Sequence, residues 1–123
     1  LKCEVGAIVK SLLFKAESSF ILCLVAGDKR CSLNKLKKIT NIKDISMASP
    51  DEVKDQTGYT IGGVSPIGHN NKIEILIDNS LERFIDLYAA AGHPNCIFKI
   101  NFKNLQKITN GKVKEIIEWD NQK

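Results

Sequence analysis

The sequence predicts an α+β fold, a mixed and curved β-sheet with short helices packed around it, in a single domain over residues 1–123. Three observations carry that expectation. Apolar stretches of strand length recur along the chain, and helical stretches are short and interspersed rather than strictly alternating with them. The first two apolar stretches, Ala7 to Phe14 and Phe20 to Ala26, are apolar nearly throughout instead of at every second position. Continuous apolarity means that both faces of a strand are covered, by helices or by closure of the sheet. Finally, 123 residues suffice to bury one core without covalent staples.

Taken in order, Ala7 to Phe14 and Phe20 to Ala26 are joined by Lys15-Ala-Glu-Ser-Ser19 and read as a hairpin that Gly27-Asp28 ends. Ser32 to Ile39 reads as a short helix, with Ser32 as N-cap and Leu33, Leu36 and Ile39 on one face. A second helix opens at Ser49-Pro50-Asp51-Glu52, where Ser49 caps, Pro50 suits the first turn and Glu52 completes a capping box. It runs to about Thr57, and Gly58 ends it. Ile73 to Ile77 is a strand, and Asp78-Asn79-Ser80 opens a helical turn around Leu81 to Phe84. Leu87 to Ala91 and Cys96 to Phe102 are two more strands, separated by Gly92-His93-Pro94-Asn95. Leu105 to Ile108 is a helical turn, Asn110-Gly111 a turn, and Val113 to Ile117 the last strand.

The 43% hydrophobic and 26% charged fractions are those of an ordinary globular chain. No apolar run approaches a membrane span and no secretion signal opens the chain. Of the four cysteines, none forms a C-x-x-C pair, and Cys23 within Ile-Leu-Cys-Leu-Val reads as a small buried hydrophobe. A cytoplasmic protein with no membrane partner is expected from this usage. The net charge of +4 suits an anionic partner such as RNA but falls short of a dedicated nucleic-acid binder. Its lysines form two loose groups, Lys35 to Lys43 and Lys99 to Lys114, each readable as a solvated face.

The densest chemical signal is Gly58 to His69, which holds four of the eight glycines and one of the three prolines. Such a cluster marks backbone in unusual dihedrals or in close approach to another group. It has neither the Gly-Lys-Ser/Thr ending of a P-loop nor the Gly-x-Gly-x-x-Gly of a dinucleotide turn. What remains is a Gly-x-x-x-Pro loop, Gly62 to Pro66, whose N–H groups can hold a carbonyl oxygen or an anion, or which serves as an ordinary turn. Lys10 is the second signal. On a strand it shares a face with Ile8, Leu12 and Phe14, and a lone ammonium there needs a cavity or a partner. The alternative is an edge lysine that opposes aggregation. His93, between Gly92 and Pro94, and His69, closing the glycine loop, are candidate site histidines at strand ends, or solvated turn residues. A single His-x-x-Cys is too weak a spacing for a metal site, and Ser65 has no Gly-x-Ser-x-Gly frame for nucleophilic catalysis.

Four segments occur in order: Val9-Lys10-Ser11-Leu12, Thr57-Gly58-Tyr59, Gly62-Gly63-Val64-Ser65-Pro66-Ile67-Gly68-His69 and Ala90-Ala91-Gly92-His93-Pro94-Asn95. Together with a final Leu105…Ile108-Thr109…Gly111-Lys-Val113 they resemble the YbaK/prolyl-tRNA-synthetase-associated editing domain family over nearly the whole chain. Members of that family usually carry a further N-terminal helix and strand, which this chain is expected to lack. The resemblance implies a deacylase that hydrolyses the ester of mischarged aminoacyl-tRNA, usually proline tRNA carrying a small non-cognate amino acid, as a free-standing editing factor. Its partners would be the aminoacyl-tRNA acceptor end and, further, prolyl-tRNA synthetase or an elongation factor. It also implies a barrel-like form of the mixed α+β sheet, no metal and no organic cofactor. Lys10, Gly62 and Gly63 would be catalytic. Ser11, Val64, Ser65, Pro66, Gly68, His69, Gly92 and His93 would bind substrate, with His93 shaping the amino-acid pocket. At Ser11 subfamilies vary, which leaves the amino acid open. The alternative is a catalytically silent module of the same fold that binds tRNA or a synthetase.

The chemistry agrees with such an activity. An aminoacyl ester is already activated, so orientation and oxyanion stabilisation matter more than a strong nucleophile. The neighbouring 2′-hydroxyl of the terminal adenosine can activate water, Lys10 can bind phosphate or ribose oxygens, and the modest positive charge can gather the acceptor end.

Overall fold

A hairpin sets the frame. In the computed structural model, which describes residues 4–93 and 95–118, a 3-10 turn (Val5–Ala7) leads into strand β1 (Val9–Ala16), paired antiparallel with β2 (Ser19–Ala26) from Val9↔Ala26 to Ala16↔Ser19. Cys3, one of the four cysteines, and Pro94 of the Gly92 to Asn95 turn lie outside the described residues. Then follow β3 (Arg30–Cys31), helix α1 (Leu33–Thr40), β4 (Ile45–Met47), helix α2 (Pro50–Thr57) and β5 (Glu74–Asp78). A 3-10 turn (Asn79–Arg83) leads to the hairpin β6 (Leu87–His93) and β7 (Cys96–Ile100), then to helix α3 (Phe102–Thr109), β8 (Lys112–Lys114) and β9 (Ile117–Glu118).

The main sheet is mixed, in the order β4-β1-β2-β5-β8, with β5 parallel to both β2 and β8. The pairs β3–β9 and β6–β7 are separate two-stranded sheets, and Ile8 bridges to Tyr88 of β6. Both faces of the β1–β2 hairpin are covered, as its unbroken apolarity requires. On one face Val9, Leu13, Leu22 and Leu24 pack with Val53 of α2, Leu87 of β6 and Leu105 of α3. On the other, Phe14, Ile21, Cys23 and Val25 pack with Leu36 of α1, Ile116 and Ile117. The fold is therefore α+β with a mixed sheet, as expected.

The helix signals hold in detail. Ser32 accepts from the Lys35 N–H at 3.2 Å, and Ser49 and Glu52 close a reciprocal capping box at 3.2 and 2.8 Å. Several boundaries differ, four of them with a clear local cause or consequence. The first strand begins at Val9, because residues 5–7 curl into a 3-10 turn. Phe102 starts α3 instead of ending β7, since Asn101 caps that helix by accepting from the Asn104 N–H at 2.8 Å. Gly92 and His93 belong to β6, beyond a register irregularity that follows Ala90. The last strand splits in two: the buried Asp78 carboxylate takes the Ile116 N–H at 2.7 Å and the Ser80 N–H at 2.8 Å, bending the chain between β8 and β9. Among the described residues no helix is long and apolar enough to cross a membrane.

Candidate active site

The outer edge of β1 has two neighbours. β4 pairs with its far end from Phe14 to Ala16, extended by the Ala48 N–H donating to the Leu13 carbonyl at 3.0 Å, while Tyr88 bridges Ile8 at the near end. Between them a cavity of about 400 Å³ opens. Residues Ile8 to Leu13 form its floor, Met47, Ala48 and Val53 one wall, and Tyr88, Ala90 and Ile97 another. Ile61, Gly62 and Val64 of the glycine loop complete it.

Lys10 lines this cavity and is half-buried. Strand alternation sends its side chain to the same face as Leu12 and Phe14, and its ammonium donates to the Lys29 carbonyl. The partner that a lone ammonium requires is thus a main-chain oxygen of the β2–β3 turn. That turn is fixed by Asp28, whose carboxylate takes both terminal nitrogens of Arg83, at 2.8 and 3.2 Å. The Arg83 guanidinium holds the Asp28 carboxyl below the usual carboxylate range. Arg83 also donates to the Ser80 carbonyl at 2.7 Å and lies 4.8 Å from the centre of the Phe84 ring.

Ser11 alternates to the cavity face with Val9 and Leu13. Its Oγ is buried and, among the described residues, has no hydrogen-bond partner. An unpaired buried hydroxyl of this kind costs about 1–3 kcal/mol, a deficit that a polar ligand group would remove.

The glycine loop starts where α2 ends, at Gly58, which takes the left-handed conformation (φ 85°) and donates its N–H to the Lys54 carbonyl at 2.9 Å. Gly62 is also left-handed (φ 87°), faces the cavity, and has open space where a Cβ would stand. Gly63 is buried, does not line the cavity, and donates its N–H to the Thr60 carbonyl at 2.9 Å. That amide is occupied by the loop's own turn. Val64 is buried against the cavity. Ser65 points inward: its carbonyl takes the His69 Nε2–H at 2.7 Å, and its Oγ takes the Ile67 N–H at 3.4 Å. Pro66, Gly68 and His69 line a separate cleft of about 220 Å³.

Tyr59 joins these parts. Its hydroxyl donates to the Ile67 carbonyl at 2.8 Å, and its ring stands edge-on to His69 at 6.2 Å. A Cβ on Gly92 (φ 95°) would lie 3.0 Å from that ring, and one on Gly68 (φ 78°) 2.6 Å from its hydroxyl. Gly92 thus fits beneath Tyr59 and ties the β6–β7 hairpin to the loop. His93 is exposed at the end of β6, and its Nδ1 accepts the Asn95 N–H at 3.1 Å. Lys10, Ser11, Gly62 and Val64 therefore meet at one cavity, while Gly63, Ser65, Pro66, Gly68, His69, Gly92 and His93 stand outside it. On the far face of the sheet, the hydrogen bond with Cys31 and burial raise the Cys23 thiol far above its ordinary range, and the same bond lowers Cys31.

Sequence reasoning missed most of the cavity wall. Met47, Val53, Tyr88 and Ile97 come from four different elements and read in the sequence only as ordinary apolar residues. Tyr59 carried a signal, as the one aromatic residue inside the glycine-rich stretch.

The molecule is an α+β domain with a mixed sheet and a cavity at an open strand edge, lined by Lys10 and Ser11 on one side and by Gly62 and Val64 of the glycine loop on another. Residues 1–108 match the profile of the aminoacyl-tRNA editing domain, and the chain belongs to that family. It is 36% identical over 111 residues to the uncharacterized protein YwhH of Bacillus subtilis, covering 89% of this chain and 70% of that protein. It is 35% identical over 91 residues to a proline–tRNA ligase of Bacillus velezensis, covering 74% of this chain but 16% of the ligase. A crystal structure provisionally described as a trans-editing enzyme for prolyl tRNA synthetase superposes with a TM-score of 0.91 at 37% identity, over 95% of this chain and 74% of that one.

Proposed function

We propose that this domain, taken as one unit, hydrolyses the ester of mischarged aminoacyl-tRNA, with proline tRNA bearing a small non-cognate amino acid as its substrate. The observation that supports this reading is the meeting of two pairs distant in sequence, Lys10 with Ser11 and Gly62 with Val64, around one cavity of about 400 Å³. Membership in the editing-domain family and the likeness to a structure described as a trans-editing enzyme point the same way.

The aminoacyl group enters the apolar cavity, and the terminal ribose remains at its mouth. Water, activated by the ribose 2′-hydroxyl, adds to the ester carbonyl carbon. The bond to the ribose oxygen breaks, and that oxygen leaves with a proton. Lys10, whose ammonium bonds the Lys29 carbonyl on the face of β1 opposite the Ser11 side chain, lends positive charge near the strand edge without touching the ester. The glycine loop permits close approach of the ester at Gly62, where no side chain intervenes. The net charge of +4 attracts the acceptor end, in the cytoplasm where charged tRNA is found. Incubation with a panel of mischarged tRNAs, following release of each amino acid, tests the proposal. Release of a small non-cognate amino acid with prolyl-tRNA spared is expected. No release from any member would leave a silent tRNA- or synthetase-binding module.

A further inference from the structure

Ile8 and the first five residues of β1, Val9 to Leu13, line the cavity without a gap. A cavity resting on the face of a sheet meets alternate residues, whereas one resting against a strand's edge meets them all. The cavity therefore abuts the edge of β1, and main-chain groups form its floor.

Which groups point into it follows from the hydrogen bonds at one end. The Ala48 N–H donates to Leu13 O on the outer side of β1, at 3.0 Å, and just beyond the strand the Glu17 N–H donates to Asp44 O at 3.0 Å. In an antiparallel strand the N–H and C=O of one residue point to the same side and alternate along the chain. Lys10 and Leu12 accordingly bond to β2, and Ser11 directs both its N–H and its C=O outward. Among the described residues no strand pairs with β1 at Ser11 on that side, because the contact with β4 ends at Leu13 and the bridge to Tyr88 lies at Ile8. Beside this open pair lies the buried, unpartnered Ser11 Oγ.

We propose that the main chain of Ser11 holds the aminoacyl group of the substrate as if it were one added residue of a β-strand. This rests on the editing reading above. The α-ammonium donates to Ser11 C=O, and the ester carbonyl accepts from Ser11 N–H, the two bonds exchanged by one hydrogen-bonded pair of antiparallel residues. Two consequences follow. Recognition of the α-amino and carbonyl groups is independent of the side chain, which leaves the apolar walls to select by size. The N–H also sits where the carbonyl oxygen gains negative charge during hydrolysis, which makes Ser11 a main-chain oxyanion donor.

The test replaces the amide without breaking the sheet. Proline is tolerated on an edge strand where its missing N–H faces outward, and the preceding Lys10 is already extended. Ser11→Pro is expected to lower kcat/KM about a hundredfold below Ser11→Ala, which keeps the N–H and loses only the hydroxyl. Amide hydrogen exchange on the unaltered protein supplies a second readout. The probe is adenosine carrying alanine through an amide, in place of the ester, at the ribose 3′ position, with the propionyl amide as the control that lacks the amino group. The alanyl probe should slow exchange at the Ser11 amide about tenfold or more, and the propionyl control should do so less. Equal rates for Ser11→Pro and Ser11→Ala would overturn the proposal. So would an unchanged Ser11 amide when the probe perturbs those of Gly62 and Tyr88, leaving the editing reading intact. A probe that perturbs no amide of the cavity would overturn both.

Discussion

Removing the ammonium of Lys10 takes a donor from the Lys29 carbonyl and a positive charge from β1. Lys10→Ala is expected to cut deacylation by about a hundredfold or more while the melting transition stays cooperative. A rate equal to that of the unaltered protein would make Lys10 a turn anchor only. At Gly62 an added methyl meets no neighbour, so Gly62→Ala pays only for its left-handed backbone, about 1 kcal/mol of stability. A drop in rate well beyond that cost would then report on the loop's approach to the ester. Ser65→Ala should be milder, because the Ser65 Oγ only receives a long bond from within the loop and does not face the cavity. If Ser65→Ala proves the more damaging of the two, a side-chain mechanism replaces the main-chain one.

Two small devices hold the elements around the cavity. The first is the fit of Gly92 under Tyr59, which fastens the β6–β7 hairpin to the glycine loop. Gly92→Ala combines a left-handed φ of 95° with a 3.0 Å contact to the ring, and should destabilise the domain by about 1–3 kcal/mol in chemical denaturation. The second is the Asp28–Arg83 pair, which steadies the turn that presents the Lys29 carbonyl to Lys10. The folded Asp28 carboxyl titrates below its unfolded value, so its contribution is present above the unfolded pKa and is lost as the pH falls through the folded one. Asp28→Asn should therefore flatten the acid side of the stability–pH curve, and a variant with the same acid limb as the parent would show that the pair contributes nothing. The effect is modest, since both side chains are 38% exposed.

For the molecule as a whole, the proposed reaction would draw its selectivity from the size and apolar walls of the cavity. A site that discriminates by a single methylene contact achieves about 1–3 kcal/mol, so neighbouring small amino acids should show overlapping activity. Ser11→Leu adds bulk on the cavity face of β1 and should lower the specificity constant for the larger accepted amino acid more than for the smaller. An equal loss on both would show that this side chain does not meet the amino acid.

What could be read from the chain before folding was local. The capping box at Ser49, the N-cap at Ser32 and the hairpin of two continuously apolar strands act through near neighbours in sequence, and each stands where its residues direct. Strands β3, β4 and β9 were not legible, because two or three residues carry no periodicity and pair only when distant partners reach them. The candidate site divides in the same way. Lys10 and the Gly62 to Pro66 loop stood out because a charge on an apolar strand and a cluster of glycines are locally costly unless used. That Gly63 spends its N–H on Thr60 and that His69 closes on Ser65 are bonds within the loop that no residue pattern announces. That Ser11 sits on an open edge depends on where the β4 pairing stops and where Tyr88 crosses. Those are long-range pairings, and only the assembled sheet decides which main-chain groups they leave free.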